Sequence, residues 1–438
     1  MQLLKRIIEK LNKSRFEDNE KKSKGIFRNM LLLASGTATA QLVAFITLPI
    51  ITRIYSPQDL GTLSVFTAVL SVLAPLTTLK YSNAVPLPKT DAIAINLLVI
   101  CIFSSVITSC LSFVVLIFYR HEVFSFLSAM AVVPYWWLFP IALLGIGLYE
   151  TLVAWATRKK AFKQVSISRV VQSVLGALVK IVLGIFGLKP LGLLFGSVAS
   201  QVSALGGLFA QLKKDFEMTV YRFRYSHIKY TARRYLDFPL YRLPSQLLLI
   251  VSAQAPIIFT AIHFGTATAG QLGLAIGIVG VPMGLVGTST AQAYYAEIAR
   301  IGKGQAAEVK EVSIQVMKRL CLLSVIPFLV LFFLAADGFV LAFGDAWREA
   351  GFFCQILSVY LLVQFISSPF VNVLSVFEKQ WMYLRINVVR LLIVFSIFMM
   401  PYFFDLAVNS LITFYSVGLS IHYLVTLFLV FRVIEQHS

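Results

Sequence analysis

Two basic side chains and one acidic side chain lie well inside long apolar stretches of this 438-residue chain, more than three residues from either end. Lys180 and Arg390 are the cations, and Glu150 is the acid. A charged group at the centre of a bilayer costs about 2.5–3.5 kcal/mol on insertion scales, so such groups usually face a protein interior or water and often have a function. An excess of buried cations favours an anionic ligand, which they would attract without covalent chemistry.

Lys180 lies eleven residues beyond Arg169. That separation is roughly 16 Å along a helix, too deep for the side chain to reach the headgroups easily. Its helix face also carries Gln172, Gly176 and Gly184 at intervals of four residues. This stripe of small and polar residues predicts that another helix or a cavity, and not lipid, covers Lys180.

Glu150 is the expected counterion of Lys180. It precedes Arg158 by eight residues on the neighbouring antiparallel helix. This spacing is roughly 12 Å, so the two depths differ by less than a lysine side chain can span. Glu150 could be an ion-coupling group that faces a cavity, or one partner of a buried structural ion pair. The sequence leaves both interpretations open.

Two arginines complete the set of candidate residues. Arg390 lies near one end of its helix, so its side chain could extend to the headgroups or point into the bundle, and we adopt the bundle interior. Arg53 stands beside Tyr55 at the end of the first apolar stretch, a position typical of an interfacial anchor, with ligand binding as the alternative. The candidate substrate-binding cations are therefore Lys180, Arg390 and Arg53.

No catalytic or metal-binding constellation is recognisable in the sequence. Glycine-rich phosphate loops, paired acids of the glycosidase type, Ser/His/Asp sets and clustered metal ligands are all missing as motifs. The four cysteines lie within apolar stretches without zinc-type spacing, as small core residues do. We therefore expect no enzymatic activity, no cofactor and no metal, with coupling to a proton or sodium gradient as an option.

Twelve apolar stretches must position these side chains. Most reach the roughly 20 residues that a helix needs to cross a bilayer. They cover residues 30–52, 60–79, 93–118, 134–156, 170–188, 191–212, 243–262, 267–293, 320–336, 351–377, 383–400 and 406–431. With 58% hydrophobic and 13% charged residues, little remains for an aqueous domain. The chain is predicted to be an all-α polytopic membrane protein with twelve transmembrane helices.

Lysine and arginine alternate between the gaps that separate these stretches. Of the 38 basic residues, 32 fall on one side and only 4 on the other. The positive-inside rule assigns the basic side, and with it both termini, to the cytoplasm. The net charge of +18 then suits anionic membrane lipids as partners and requires no nucleic acid, since no nucleic-acid-binding motif appears.

A basic central loop separates six predicted helices from six. The predicted segments are a cytoplasmic amphipathic and charged head at 1–28, an amino-terminal lobe at 29–212, a cytoplasmic inter-lobe loop at 213–242 and a carboxyl-terminal lobe at 243–438. Both halves begin on the same side of the membrane, which makes a parallel repeat plausible.

A short pattern supports the repeat. An aromatic residue, a glycine and a leucine recur at one fixed offset, as Tyr55, Gly61 and Leu63 in the first half and as Phe264, Gly270 and Leu272 in the second. Many transporters build two bundles around a central site from such repeats.

Five segments carry a more specific pattern. They read LPIITRIYSPQDLGTLSVF (48–66), LKYSNAVPLPK (79–89), AWATRKKAFKQVSISRVVQS (154–173), RRYLDFPLYRLPSQLL (233–248) and FGDAWREAGFF (343–353). Together they resemble the bacterial polysaccharide exporters of the Wzx type, in the multidrug/oligosaccharidyl-lipid/polysaccharide (MOP) superfamily. One departure concerns an acid that often follows the tyrosine of the second segment, because Ser82 and Asn83 follow Tyr81 here. An ion-coupling role for that acid is therefore in doubt.

The resemblance implies two six-helix bundles in a V like that of the MATE exporters, around a cavity that opens first to the cytoplasm and then outward. It also implies a flippase of the bacterial inner membrane. The cargo would be an undecaprenyl-pyrophosphate-linked repeat unit for O-antigen, capsule or exopolysaccharide synthesis, and other polysaccharide assembly proteins would be partners. Buried cations agree with an anionic pyrophosphate headgroup.

Two other functions compete with this one. A multidrug exporter of the same superfamily would prefer cationic drugs and hence an acidic cavity, whereas the spans hold two cations and one acid. A membrane polysaccharide polymerase or glycosyltransferase generally carries a substantial extracytoplasmic loop, and the gaps on that side are all short here.

Overall fold

Helices form the regular structure of the residues described by this computed structural model, 34–220 and 227–437, and no strand occurs among them. In chain order they are α1 (Ala34–Ile54), α2 (Pro57–Thr78), α3 (Asp91–Phe126), α4 (Leu138–Arg158), α5 (Phe162–Ile185), α6 (Leu191–Val220), α7 (Ile228–Arg234), α8 (Leu243–Pro282), α9 (Thr288–Ile301), α10 (Ala306–Phe343), α11 (Arg348–Ser367), α12 (Val373–Val376), α13 (Gln380–Met399) and α14 (Val408–Glu435). The predicted head at 1–28 lies outside the described residues, as does the middle of the inter-lobe loop.

Eleven helical segments of the described chain are long and apolar enough to cross a membrane. One of them, α8, contains Gly265 with φ 85° and ψ 168°, a conformation that residues with a side chain rarely adopt. This break divides α8 into two parts that match the seventh and eighth predicted spans. The all-α membrane fold is therefore confirmed, and the eleven described segments, with α8 divided at this break, agree with the twelve predicted membrane helices.

The two ends of α2 have different local causes. At its start, the Ser56 side chain accepts from the Asp59 backbone amide and the Asp59 carboxylate accepts from the Ser56 amide, while Pro57 takes the first helical position. At its end, Leu79 and Lys80 adopt left-handed conformations with φ 48° and 60°. This turn directs the chain back across the end of the bundle and positions Lys80.

Helices α2 and α8 join the two lobes at one end of the molecule, which we call the closed end. Gly61 and Gly270 face each other there, and a Cβ atom added to Gly270 would lie 2.1 Å from the carbonyl oxygen of Pro57. The Trp347 indole, from the connection between α10 and α11, donates to the Thr52 carbonyl oxygen at 3.0 Å at the same end. Equivalent positions of the predicted repeat thus meet where the lobes meet.

The same helices separate toward the opposite end, which we call the open end. A Cβ atom added to Gly273 would lie 2.4 Å from Ser64 Oγ. Gly277 and Gly280 continue the same face of α8 and are exposed, and a Cβ atom added to either would meet no described residue within 4 Å. The buried core at the open end of the amino-terminal lobe, which includes Trp155, contains no described residue of α8–α14.

Candidate functional site

Lys180 is enclosed by protein on the face that its small neighbours predicted. A Cβ atom added to Gly196 of α6 would lie 2.4 Å from Lys180 Cγ, so α6 covers the stem of the lysine side chain. Gly176 lies against Ser200 of α6 in the same way. The Tyr55 hydroxyl, at the end of α1, donates to the Lys180 carbonyl oxygen at 2.7 Å. Coverage by a neighbouring helix is therefore confirmed.

The seam between α1 and α5 contains further polar groups without partners. The Ser173 hydroxyl donates to the Ala40 carbonyl oxygen at 2.7 Å and fixes the two helices side by side. Beside this contact, Gln41 Oε1 and Gln172 Nε2 are buried and accept or donate no hydrogen bond among the described residues. Because unpartnered buried polar atoms are uncommon, this seam has unused hydrogen-bonding capacity about two helical turns from Lys180.

Glu150 does not pair with Lys180 in this structure, which corrects the expectation from helix depth. Its Oε1 atom lies 3.0 Å from Lys80 Nζ and accepts a hydrogen bond from the Ser82 hydroxyl at 2.8 Å. Glu150 faces the connection between α2 and α3, whereas Lys180 packs on α6. The ammonium of Lys180 forms no ion pair with any described residue.

Lys80 is therefore a site residue that sequence reasoning missed. In the sequence it is one of several basic residues in a connection and contributes only to the topology count. The structure shows it nearly buried, with a side chain 10% exposed beside a Glu150 side chain that is 27% exposed. The left-handed backbone conformation of Lys80 directs its side chain toward Glu150. A lysine in the sequence gives no signal for that conformation.

A second ion cluster at the open end holds the connection between α2 and α3. Arg158 donates through Nε and Nη2 to Asp91 Oδ1 at 3.0 and 2.8 Å, and through Nη1 to the Pro88 carbonyl oxygen at 2.7 Å. Lys159 Nζ lies 3.1 Å from Asp91 Oδ2. These contacts tie the end of α4 to the start of α3, so their role is structural support of the segment that carries Lys80.

Arg390 points into the carboxyl-terminal lobe. Its guanidinium carbon lies 5.9 Å from the centre of the Tyr423 ring, and Gln364 donates to the Tyr423 hydroxyl at 2.8 Å. The Nε atom of Arg390 is buried without a hydrogen-bond partner in the described residues. The tyrosine rings of α11 and α14 continue the cluster, with Tyr360 and Tyr415 5.5 Å apart. Of the two orientations considered for Arg390, the bundle interior is the one observed.

Arg53 lies apart from the other two candidate cations. Its side chain is exposed at the closed end, and it pairs with no described residue. The structure therefore brings Lys180 and Arg390 into the interiors of separate lobes and leaves Arg53 on the surface. A role for Arg53 in ligand binding stays a proposal that would require a different conformation.

The arrangement suits an anion better than a metal ion. Lys180 and Arg390 are both without a carboxylate partner in the described chain, and Glu150 is engaged by Lys80. The described residues contain no group of three or more His, Cys, Asp or Glu side chains that could hold a metal ion. Two cations with free hydrogen-bonding positions can bind a phosphate-bearing or hydroxyl-rich ligand.

The comparisons with known proteins agree on one fold. Residues 50–351 match the family model described as polysaccharide biosynthesis protein. No curated protein matches the chain. Among solved structures, an inward-facing multidrug resistance transporter of the MATE family in the MOP superfamily superposes with a TM-score of 0.75 at 13% identity, covering 91% of this chain and 95% of that one. The outward-facing conformation of a MATE family transporter superposes with a TM-score of 0.61 at 12% identity, covering 94% of this chain and 96% of that one. The lipid II flippase MurJ, in an inward closed conformation, superposes with a TM-score of 0.69 at 11% identity, covering 93% of this chain and 90% of that one.

Proposed function

The chain belongs to the family of polysaccharide biosynthesis proteins, and on that premise we propose that it is a flippase for a lipid-linked oligosaccharide. The cargo is an undecaprenyl-pyrophosphate-linked repeat unit, moved from the cytoplasmic to the outer leaflet of the bacterial inner membrane for O-antigen, capsule or exopolysaccharide synthesis. The protein performs no covalent step. Its fold is that of multi-pass transporters and flippases of the MOP superfamily.

The observation that carries this proposal is the pair of interior cations, Lys180 and Arg390, that form no ion pair with any residue the structure describes. Lys180 lies on the fifth membrane helix of its lobe, and Arg390 lies on the fifth membrane helix of the other. A pyrophosphate with negative charge on both phosphates would be stabilised by cations in both lobes in a cavity between them. The glycan adds hydroxyl groups that suit the free amides of Gln41 and Gln172.

Alternating access follows from the way α2 and α8 meet. The basic residues assign the open end to the cytoplasm, so this conformation would face inward and receive the cargo from the inner leaflet. The better match to the inward-facing MATE transporter than to the outward-facing one supports this state. Closure of the open end and separation of the closed end would release the cargo outward.

Glu150 is a candidate for ion coupling to a proton or sodium gradient. Neutralisation of its carboxylate would remove the charge that attracts Lys80 and accepts from Ser82. Since these residues lie at the open end, loss of the pair would loosen the connection between α2 and α3 during the conformational change. Glu150 is equally placed to serve as a structural partner.

The direct test uses purified protein in liposomes that contain a short-chain polyprenyl-pyrophosphate disaccharide in one leaflet. We expect the lipid to appear in the opposite leaflet with its covalent structure unchanged, and the Lys180→Gln/Arg390→Gln variant to be slower. New glycosidic bonds detected by mass spectrometry would instead favour the polymerase interpretation.

A multidrug exporter is the second candidate, since MATE transporters share the fold. The same liposomes can be loaded with a cationic dye. Interior cations repel a cationic cargo, so the flippase proposal predicts little dye efflux. Dye efflux that exceeds the movement of the lipid-linked sugar would reject this proposal.

A further inference from the structure

A groove between α13 and α14 lies outside the site described above. It has a cavity volume of about 520 Å³ and opens near the start of α13, at the open end of the molecule. This volume falls within the roughly 300–1,000 Å³ typical of sites that bind small ligands. Nearby apolar side chains such as Val389, Val425 and Phe428 are 48%, 49% and 65% exposed. These exposed apolar side chains suit contact with the hydrocarbon region of a membrane.

The rim of the groove is basic and aromatic. Lys379 and Arg385 line it, and Trp381 stands between them with 64% of its surface exposed. The Arg385 guanidinium carbon lies 5.5 Å from the centre of the Trp381 ring, which holds the arginine at the rim. Tryptophan and arginine at the end of a membrane helix are typical of residues at headgroup depth.

The only acid in the groove is neutralised from outside it. Glu378 lies 3.1 Å from Lys303 of the α9–α10 connection. Neither Lys379 nor Arg385 has a carboxylate partner in the described part of the chain. The rim therefore carries two uncompensated positive charges beside an ion pair.

The floor of the groove is mainly apolar, and its Thr426 hydroxyl is engaged within α14, donating to the His422 carbonyl oxygen at 2.8 Å. Ile386 and Val389 of α13 and Val425 and Leu429 of α14 form it, and His422 closes the deep end. An apolar channel below a cationic rim is complementary to a single amphiphile with an anionic head. A free phosphate would leave this floor unfilled, and a protein segment would bring backbone groups that the floor cannot hydrogen-bond.

We propose that the α13–α14 groove is a binding site for one anionic phospholipid. Its phosphate lies between Lys379 and Arg385, and one acyl chain occupies the floor between the two helices. Basic pockets between membrane helices on the cytoplasmic side recognise anionic headgroups in this manner. A zwitterionic lipid fits the floor equally well but brings an ammonium group toward the cationic rim, so the rim discriminates between the two.

The test uses Trp381 as the reporter. Purified protein is reconstituted in phosphatidylcholine vesicles in which either phosphatidylglycerol or phosphatidylcholine carries brominated acyl chains that quench tryptophan fluorescence. The Trp381 signal is the difference between the parent protein and Trp381→Phe. We expect brominated phosphatidylglycerol to be preferred by about thirtyfold, since each of the two cations contributes about 1 kcal/mol near a membrane surface and about 1.4 kcal/mol is a factor of ten. The result does not depend on which way the protein is inserted.

Lys379→Gln/Arg385→Gln should reduce this preference to about one, each variant being normalised to its own fluorescence without bromine. Lys318→Gln/Arg319→Gln removes the same charge from the exposed face of α10 and serves as the matched control. It should keep the preference. Equal quenching by both lipids in the parent protein would overturn the site. Equal loss of preference in both double variants would also overturn it, because general attraction to the surface would then explain the result.

Discussion

Lys180 and Arg390 are held in place by different means. Gly196 of α6 lies against the stem of the Lys180 side chain, and the Tyr55 hydroxyl donates to the Lys180 carbonyl oxygen. Its ammonium forms no ion pair with a described residue. Arg390 stands over the Tyr423 ring with a buried Nε atom. Each cation is costly in an apolar lobe without an anion. A ligand that supplies negative charge would offset that cost in both lobes.

Substitutions that keep the charge should therefore be milder than those that remove it. At matched expression, Lys180→Arg and Arg390→Lys should retain more export than Lys180→Gln and Arg390→Gln. The export rate of each neutral variant should fall by at least about tenfold, because hydrogen bonds to charged groups contribute about 1.5–3 kcal/mol. Export is measured as the flipped fraction of lipid-linked sugar. Normal export by all four variants would show that the two residues are structural.

Glu150 and Lys80 should be thermodynamically coupled. Glu150→Gln or Lys80→Gln alone removes one charge of a half-buried pair and should lower the stability by about 1.5–3 kcal/mol. The Glu150→Gln/Lys80→Gln double variant should lose less stability than the sum of the two single losses, as measured by thermal unfolding in detergent. The pair Glu150→Gln/Lys180→Gln is the control and should be additive. Coupling of Glu150 to Lys180 instead would restore the ion pair expected from the sequence and indicate a second conformation.

At the scale of elements, α8 presents one glycine face whose two halves have different surroundings. Gly270 and Gly273 contact α2, whereas none of the residues that the structure describes lies within 4 Å of a Cβ atom added to Gly277 or Gly280. Small residues allow membrane helices to approach closely by backbone contact. The same face of α2 continues from Gly61 and Ser64 to Ala68 and Ser71. Both helices can thus approach each other at either end, as a rocking movement requires.

A cysteine pair can test this movement. A Cβ atom on Gly273 would lie 3.1 Å from Ser64 Cβ, close to the roughly 3.5–4.5 Å of a disulfide. Ser64→Cys/Gly273→Cys should therefore form a crosslink on mild oxidation and stop transport, and reduction should restore it. Ser64→Cys/Gly280→Cys is the control and should not crosslink, since nothing lies within 4 Å of a Cβ atom at 280. Full transport by the crosslinked protein would show that the closed end does not open.

At the scale of the whole molecule, orientation rests on charge. The 32 to 4 division of basic residues places the inter-lobe loop in the cytoplasm. Both termini and the open end would lie on that side. Labelling from one side of the membrane tests this orientation.

Labelling by an impermeant thiol reagent should separate two exposed positions. In a background without native cysteines, Lys229→Cys should be protected in intact spheroplasts and react after lysis. Asp405→Cys, in the connection between α13 and α14 at the other end, should react in both. Labelling of Lys229→Cys in sealed spheroplasts would invert the topology and the proposed direction of transport.

The number of membrane helices and the covered face of Lys180 could be predicted from the sequence. Both depend on short-range patterns: the length of an apolar stretch sets a crossing, and small residues at intervals of four mark one helix face. The pattern around Gly61 and Gly270 indicated the repeat for the same reason. Charge counts add an orientation, because the translocation of a loop depends on its own composition.

Only the tertiary structure decided which charges meet. Depth along two helices placed Glu150 near Lys180, but the rotation of α4 about its axis and the left-handed turn at Lys80 gave Glu150 another partner. The direction of Arg390 and the end at which the lobes close depend likewise on packing between residues far apart in the chain. A one-dimensional pattern fixes the position of a side chain along its helix, whereas its partners depend on helix rotation and pairing, which the whole packed molecule determines.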